Sequence, residues 1–230
     1  MWRPLDVATA LGASLARMGA GLRATEPENR PKKRLELYEF ESCPYCRKVR
    51  EAFTELDLEA AIYPCPKGGK RFRSKVKKMG GKEQFPYLVD PNTGKSMYES
   101  DDIVRYLFAT YGGREPGMLL AGPIATVSSQ MTSVWRPFSG TKAQPSKAPK
   151  KPLELWSFEA SPFSRIARET LCELEIPYVL HNVGTGSPSR DAFVRRSGKM
   201  MVPYLADPNT GRSMFESADI KRYLLKTYGA

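Results

Sequence analysis

The chain is predicted to be an α/β protein built from two tandem copies of one β-α-β-α-β-β-α unit, with amphipathic helices added before and between them. Three observations predict it. Leu35-Glu36-Leu37-Tyr38-Glu39-Phe40 matches Leu153-Glu154-Leu155-Trp156-Ser157-Phe158, and the run from Phe85-Pro86-Tyr87-Leu88 to Tyr111-Gly112 matches Val202-Pro203-Tyr204-Leu205 to Tyr228-Gly229. The offset falls from 118 to 117 between these blocks, so the copies differ by one deletion. Within each copy, short apolar runs alternate with segments of helical periodicity, the pattern of an α/β layer architecture.

The first copy justifies each element in turn. Residues 35–40 and 60–64 are short, apolar and aromatic, as buried strands are. Between them, Val49, Ala52, Phe53 and Leu56 recur at helical spacing over 44–57, and Pro44 stands in the first turn, where its missing N–H costs nothing. Residues 70–79 predict a basic, exposed helix. A hairpin of 86–90 and 95–98 follows across Asp90-Pro91-Asn92-Thr93-Gly94, whose Pro, Asn and Gly suit a tight turn. Ser100 is expected to cap a last helix that turns Ile103 and Leu107 to the sheet.

The expected organisation is a helix and linker over 1–34, a first folded unit over 35–112, a helix and Pro/Lys linker over 113–152 and a second unit over 153–230. Leu5, Ala8, Leu11, Leu15, Met18 and Leu22 give residues 5–22 an amphipathic helical period, and 123–136 is a weaker counterpart. With Asp6 as the only acid there, a transit peptide is one reading of the N-terminus. The matching internal segment favours helices that clamp the repeats. Of the net charge of +11, the four segments carry +4, +1, +5 and +1, so nine charges lie outside the two folded units. That distribution reads as solvated linkers rather than a specific nucleic-acid surface. No apolar run reaches the ~20 residues of a membrane span, although basic helices leave peripheral docking open.

Composition also narrows the chemistry. The one histidine, His181, excludes a multi-histidine zinc site and, unless everything converges on it, a Cys-His or Ser-His triad. Four cysteines are too few for a disulfide framework, which fits a reducing compartment: the cytoplasm, or a plastid stroma. Two of them form Cys43-Pro44-Tyr45-Cys46 between a predicted strand and a predicted helix. At a helix N-terminus the free backbone N–H groups and the dipole favour an anion, so Cys43 is expected to be held partly as thiolate, with Arg47 and Lys48 assisting. Cys46, one turn inside, is placed to resolve a mixed disulfide. No zinc site is expected, since only Cys65 stands near as a further ligand. Cys65 is also a candidate third redox thiol, Cys172 a small core residue, and His181 structural.

The strand, the Cys-Pro-Tyr-Cys turn, Pro86 after an aromatic residue and Glu99-Ser100 at the head of the last helix resemble glutaredoxins and the thioredoxin-like N-terminal domain of glutathione S-transferases. The tandem arrangement is similar to two-N-domain transferase-like proteins of plants, algae and bacteria. The resemblance implies glutathione as co-substrate, held at Tyr45 of the turn, by the backbone of Phe85 before a cis Pro86, and by Glu99 and Ser100 at the γ-glutamyl end. In the second copy it implies Val202, cis Pro203, Glu216 and Ser217. Lys82, and Lys199 opposite it, are candidates for the glycine carboxylate.

The second copy replaces both cysteines with Ser161 and Ser164, so it cannot exchange disulfides. Ser161-Pro162-Phe163-Ser164-Arg165 resembles the serine-type transferases, which implies a Ser161 hydroxyl donating to the glutathione thiolate and leaves this copy either a glutathione site or a scaffold. The helical C-terminal domain of ordinary transferases has no counterpart in the sequence. The expected function is glutathione-dependent thiol-disulfide exchange at Cys43 on glutathionylated or disulfide substrates. The alternatives are an atypical glutathione transferase, or a noncatalytic adaptor holding glutathione or an iron-sulfur cluster.

Overall fold

The computed structural model describes residues 19–122 and 139–230. The amphipathic helices expected over 5–22 and 123–136 lie almost wholly outside them; residues 19–22 form a turn. The first copy comprises β1 (Leu35–Glu39), α1 (Pro44–Glu55), β2 (Ala60–Pro64), α2 (Arg73–Gly80), β3 (Tyr87–Asp90), β4 (Lys95–Met97) and α3 (Ser100–Leu107), which continues as a π-helical turn over Phe108–Gly112. The second comprises β5 (Leu153–Ser157), α4 (Pro162–Glu173), β6 (Tyr178–Asn182), α5 (Ser189–Ser197), β7 (Tyr204–Asp207), β8 (Arg212–Met214) and α6 (Ser217–Tyr228). This is the expected α/β order in both copies.

Their strands form one eight-stranded sheet in the order β4-β3-β1-β2-β6-β5-β7-β8. Each copy pairs its first two strands in parallel and adds an antiparallel hairpin. The seam is the antiparallel pairing of β2 with β6, where Ala61 faces Val179. Period-two alternation then sorts the side chains. Leu35 and Leu37 enter a core that runs through both copies with Val49, Phe53, Leu107, Leu155 and Leu171. On the opposite face, Tyr38 and Tyr87 form a small aromatic cluster with Val76 of α2, and Trp156 and Tyr204 do the same with Phe193 of α5.

Asp90 ties the last helix to the hairpin by accepting bonds from Tyr106 Oη (2.6 Å) and Tyr111 Oη (2.5 Å). Asp207 repeats this with Tyr223 and Tyr228. The hydroxyls and a nearby Asn hold both carboxyls below their usual range, against the opposing effect of burial. The π turn of the first copy and the regular α6 of the second reach the same bond.

Two expectations need correction. Residues 139–152, read as a solvated linker, are bonded to both copies: Lys67 N donates to Thr141 O (2.7 Å) and Ala143 N to Lys67 O (2.9 Å) in the first, and Gln144 N donates to Glu173 O (2.7 Å) in the second. Residues 22–25 make the reciprocal contacts, with Thr185 N donating to Leu22 O and Ala24 N to Thr185 O. Each lead-in therefore straps the other copy, because the unpaired backbone beyond β2 and β6 offers it hydrogen-bond partners. Second, Ser100 is not the cap of α3. Glu99 occupies the cap position with φ 63°, Ser100 is the first helical residue, and no side chain caps the helix; Glu216 and Ser217 repeat this with φ 64°.

A buried ion cluster joins the copies beside the seam. Arg168 grips Glu41 with Nε (3.1 Å) and Nη2 (3.2 Å), and pairs with Glu159 (3.0 Å). Arg50 reciprocates with Glu159 (3.0 Å), and also contacts Glu41 and Glu39. All five side chains are 1–2% exposed. Burial would raise Glu159, but Arg168, Arg50 and Arg47 hold it down to about 2. Glu39 goes the other way: burial, with Glu41 and Glu159 nearby, outweighs Arg50 and pushes it up to about 7.

Candidate functional site

The turn after β1 places Cys43 at the N-cap of α1, with Pro44 in the first turn. Cys43 N donates to Phe40 O (3.0 Å), closing the turn, and Cys46 N donates to Cys43 Sγ (3.4 Å). Cys43 is 4% exposed and Cys46 is 0% exposed, whereas Tyr45 stands out at 42%. Burial pushes the Cys43 thiol up, but hydrogen bonds from Cys46 and from the Tyr45 backbone outweigh it and hold Cys43 below the ordinary thiol value. Cys46 is raised well above that value by burial and by its bonded partner Cys43. The two thiols are thus driven apart: one toward thiolate, the other toward a protonated reserve.

The help expected from Arg47 and Lys48 is not what the geometry provides. Arg47 pairs with Glu51 (3.0 Å) and approaches Glu159 (3.8 Å), while the ammonium of Lys48 is bonded to Asp101. Cys43 is held down instead by its bond with the Cys46 thiol and by the backbone N–H groups of Cys46 and Tyr45. The Lys48–Asp101 pair has another consequence: it ties the first turns of α1 and α3 together, so Cys43 and Ser100 lie at the same end of the fold.

In the first copy, Glu99, Gln84, Phe85 and Phe40 close a ring from Ser100 back to the Cys43 turn. Phe85-Pro86 and Val202-Pro203 are both cis, as the resemblance implied. The Phe85 ring lies 6.2 Å from that of Phe40, edge to face, and Gln84 Nε2 donates to Glu99 Oε1. Glu99 and Glu216 share a positive φ that is uncommon outside glycine, and each precedes a buried serine. Lys82 Nζ sits 5.7 Å from the Tyr98 ring and Lys199 Nζ 4.6 Å from that of Phe215. The lysines therefore stand over hairpin aromatics in both copies.

In the second copy Ser161 takes the N-cap of α4, and Ser164 N donates to Ser161 Oγ (3.2 Å). The Ser161 hydroxyl accepts there and retains its proton for another partner. The hydroxyls of Ser164 and Ser217 are buried without a hydrogen-bond partner among the described residues. Three ring-closing residues are missing: Ile166, Ala218 and Met201 stand where the first copy has Lys48, Asp101 and Gln84.

Beside Cys43 lies a strap that no local pattern in the sequence marks. Thr141 Oγ1 donates to Ser42 Oγ (2.8 Å), one residue before the thiol. Gly140, at φ 70°, presses against Glu41 so closely that an added Cβ would stand 2.8 Å from Glu41 Cβ. Cys172 links these parts: Glu41 N donates to its sulfur and the sulfur to Gly140 O, both at 3.4 Å. Cys172 is buried as expected, but it joins turn to strap rather than only filling space. At the matching position of the first copy, Thr54 Oγ1 accepts from Glu159 N (3.2 Å). The hydroxyl pair has no equivalent there, since Leu22 and Ala160 replace Thr141 and Ser42.

Cys65 is not poised as a redox thiol: burial and the nearby Glu39 push it up, and its Sγ donates to Tyr63 O (3.4 Å). His181 spans the seam, with Nδ1 2.5 Å from Glu59 and its ring stacked on Trp156. Among the described residues there is no group of three or more His, Cys, Asp or Glu that could hold a metal ion, and no helix is long and apolar enough to cross a membrane.

The chain matches the family model for the glutathione S-transferase N-terminal domain over residues 37–115 and again over 155–230. Among solved structures it is similar to Bombyx mori glutathione transferase BmGSTD1, with 27% identity over 37% of this chain and 39% of that one, at a TM-score of 0.32. It is also similar to Leishmania TDR1, a trimeric glutathione transferase, with 14% identity over 85% of this chain and 67% of that one, at a TM-score of 0.29. The chain thus spans about two fifths of the length of the first. A search of curated proteins finds no match.

Proposed function

The chain belongs to the glutathione S-transferase N-terminal domain family in both of its copies, and on that premise we propose that it catalyses glutathione-dependent thiol-disulfide exchange at Cys43. The observation that carries this reading is the placement of Cys43 at the N-cap of α1, its sulfur accepting from Cys46 N (3.4 Å) and Cys46 fully buried one turn in, which lowers the first thiol and raises the second. In the first step the Cys43 thiolate attacks the glutathionyl sulfur of a mixed disulfide. A Cys43–glutathione disulfide forms, the substrate–glutathione bond breaks, and the departing thiolate takes a proton from solvent. A second glutathione thiolate then attacks the glutathionyl sulfur, giving oxidised glutathione and restoring the Cys43 thiolate. Alternatively Cys46 loses its proton and attacks Cys43 Sγ, expelling glutathione and leaving a Cys43–Cys46 disulfide for two further glutathiones to reduce.

Phe85 with cis Pro86 would align the cysteinyl backbone of glutathione. Glu99 would receive its ammonium, and the N-terminus of α3 at Ser100 its α-carboxylate. Tyr45 and Lys82 complete the proposed site. The second copy offers the same frame at Ser161, Val202, Pro203, Glu216 and Ser217, as a site that binds glutathione without exchanging it. A second reading, glutathione transfer to an electrophile, is favoured by the Ser161 hydroxyl, whose proton is available to a glutathione thiolate. Turnover of a small glutathionyl mixed disulfide tests the two readings. Exchange requires that Cys43→Ser abolish it while Cys46→Ser retains it; turnover that survives Cys43→Ser, or an alkylation-sensitive low-pKa thiol at Cys46, refutes the assignment.

A further inference from the structure

Residues 67–78 carry seven basic side chains and no acidic one. Lys67 and Lys70 lie in the loop after β2, Lys75, Lys77 and Lys78 on α2, and all five are exposed. None has a carboxylate partner among the ion pairs of the described residues, whereas the arginines of this stretch are engaged. Arg71 bonds to the carbonyls of Leu174 and Ser146, and Arg73 pairs with Glu83. The N–H groups of Lys70 and Arg71 hold the Glu175 carboxylate, but the five lysine side chains themselves form no salt-bridge network.

Its position and its loss from the second copy give it meaning. Arg73, at the start of α2, donates to Cys65 O (2.9 Å) and lies over the Phe85 ring at 4.7 Å. Phe85 in turn meets Phe40, whose carbonyl closes the Cys43 turn. The face is thus continuous with the thiol end of the fold. In the second copy, where both cysteines are serine, residues 185–195 carry two basic side chains and one acidic. Thr185 stands opposite Lys67, Ala192 opposite Lys75 and Val194 opposite Lys77; only Lys78 keeps a basic counterpart, Arg195. The buried Val76 and Phe193 fix that alignment. With Arg196 at the end of α5 counted, the second copy has three basic side chains against one acid, so the excess of positive charge is larger beside the thiol.

We propose that the lysine face formed by the loop after β2 and by α2 docks an acidic segment of a protein whose disulfide is presented to Cys43. The inference rests on the exchange reading above and names the substrate class for it. An acidic polypeptide fits better than a single-stranded nucleic acid. Nucleic acid needs open aromatic platforms for its bases, and here Tyr38 is fully buried, stacked on Tyr63 at 4.7 Å, with Lys75 Nζ over both rings.

The test compares two fluorescent peptides carrying one glutathionylated cysteine, one flanked by glutamates and one by glutamines, with the full chain at low salt. The Lys77→Glu/Lys78→Glu and Lys67→Glu/Lys70→Glu variants should each weaken the acidic peptide by about tenfold or more and leave the neutral peptide within about twofold. The control Lys221→Glu/Lys226→Glu makes the same change of net charge on α6 and should have little effect. Equal loss in the control, or equal loss for the neutral peptide, overturns the proposal. So does tighter binding of a uridine-rich RNA or of phosphatidylserine vesicles through the same lysines. Binding of the acidic peptide through these lysines without turnover of either peptide would uphold the docking face and refute the exchange chemistry.

Discussion

Replacing Thr141 with Val removes one hydroxyl from a strap that belongs to the second copy, yet it should change the thiol of the first. Thr141 Oγ1 donates to Ser42 Oγ at 2.8 Å, and Ser42 precedes the residue whose sulfur accepts from Cys46 N. A neutral hydrogen bond of this kind contributes about 0.5–1.5 kcal/mol net. The turn is also held by Cys43 N to Phe40 O, by Gly140 against Glu41 and by the Cys172 sulfur, so it is loosened rather than lost. If about half of that free energy reaches the alignment of N–H groups on the thiolate, the Cys43 pKa rises by roughly 0.2–0.5 units, since one unit corresponds to about 1.4 kcal/mol. The measurement is the pH dependence of iodoacetamide alkylation at Cys43 in a Cys46→Ser background. Thr141→Val should shift its midpoint upward, Thr141→Ser should restore it, and Ser42→Ala should not add to Thr141→Val because both remove the same bond. A midpoint unmoved in Thr141→Val, or effects of the two substitutions that simply add, would refute the coupling of strap to thiol.

Two further outcomes follow from the buried charges and from the second copy. Because Glu39 is raised to about 7 when folded, its contribution to stability is complete below the unfolded carboxyl value near 4.5 and is lost as pH climbs through 7. Glu39→Gln should therefore flatten the fall in urea-unfolding free energy between pH 5 and pH 8; an unchanged slope sinks the assignment. In the Cys43→Ser protein, calorimetry with glutathione should count two sites. Glu216→Ala should weaken one of them by on the order of tenfold to a hundredfold, as expected for loss of a charge-assisted contact of about 1.5–3 kcal/mol. A single site indifferent to Glu216→Ala would make the second copy a scaffold.

The sequence by itself determined the elements and their duplication. Val49, Ala52, Phe53 and Leu56 mark one face of α1, Leu35 and Leu37 one face of β1, and Asp90 to Gly94 a hairpin loop, since all of these are local periodicities or local turn chemistry. The placement of Cys43 at a helix N-terminus was legible for the same reason. What only the tertiary structure decided is how the copies meet. The pairing of β2 with β6 creates one sheet from two, and nothing in either strand's alternation names its neighbour across the seam. Glu41 and Glu159, Arg50 and Arg168 recur at an offset of 118, yet a charged residue on a predicted helix or turn reads as solvated. Only burial against the other copy turns them into a shared ion cluster. The strap from Gly140 to Ala143 is equally nonlocal: it lies in a stretch, 137–152, whose Pro, Ser and Lys content signals a linker, and its hydrogen-bond partners lie on Ser42 and Lys67. Local pattern fixes conformation because neighbouring residues share one backbone, whereas the strap and the ion cluster that flank the Cys43 turn are built from groups brought to it from far along the chain.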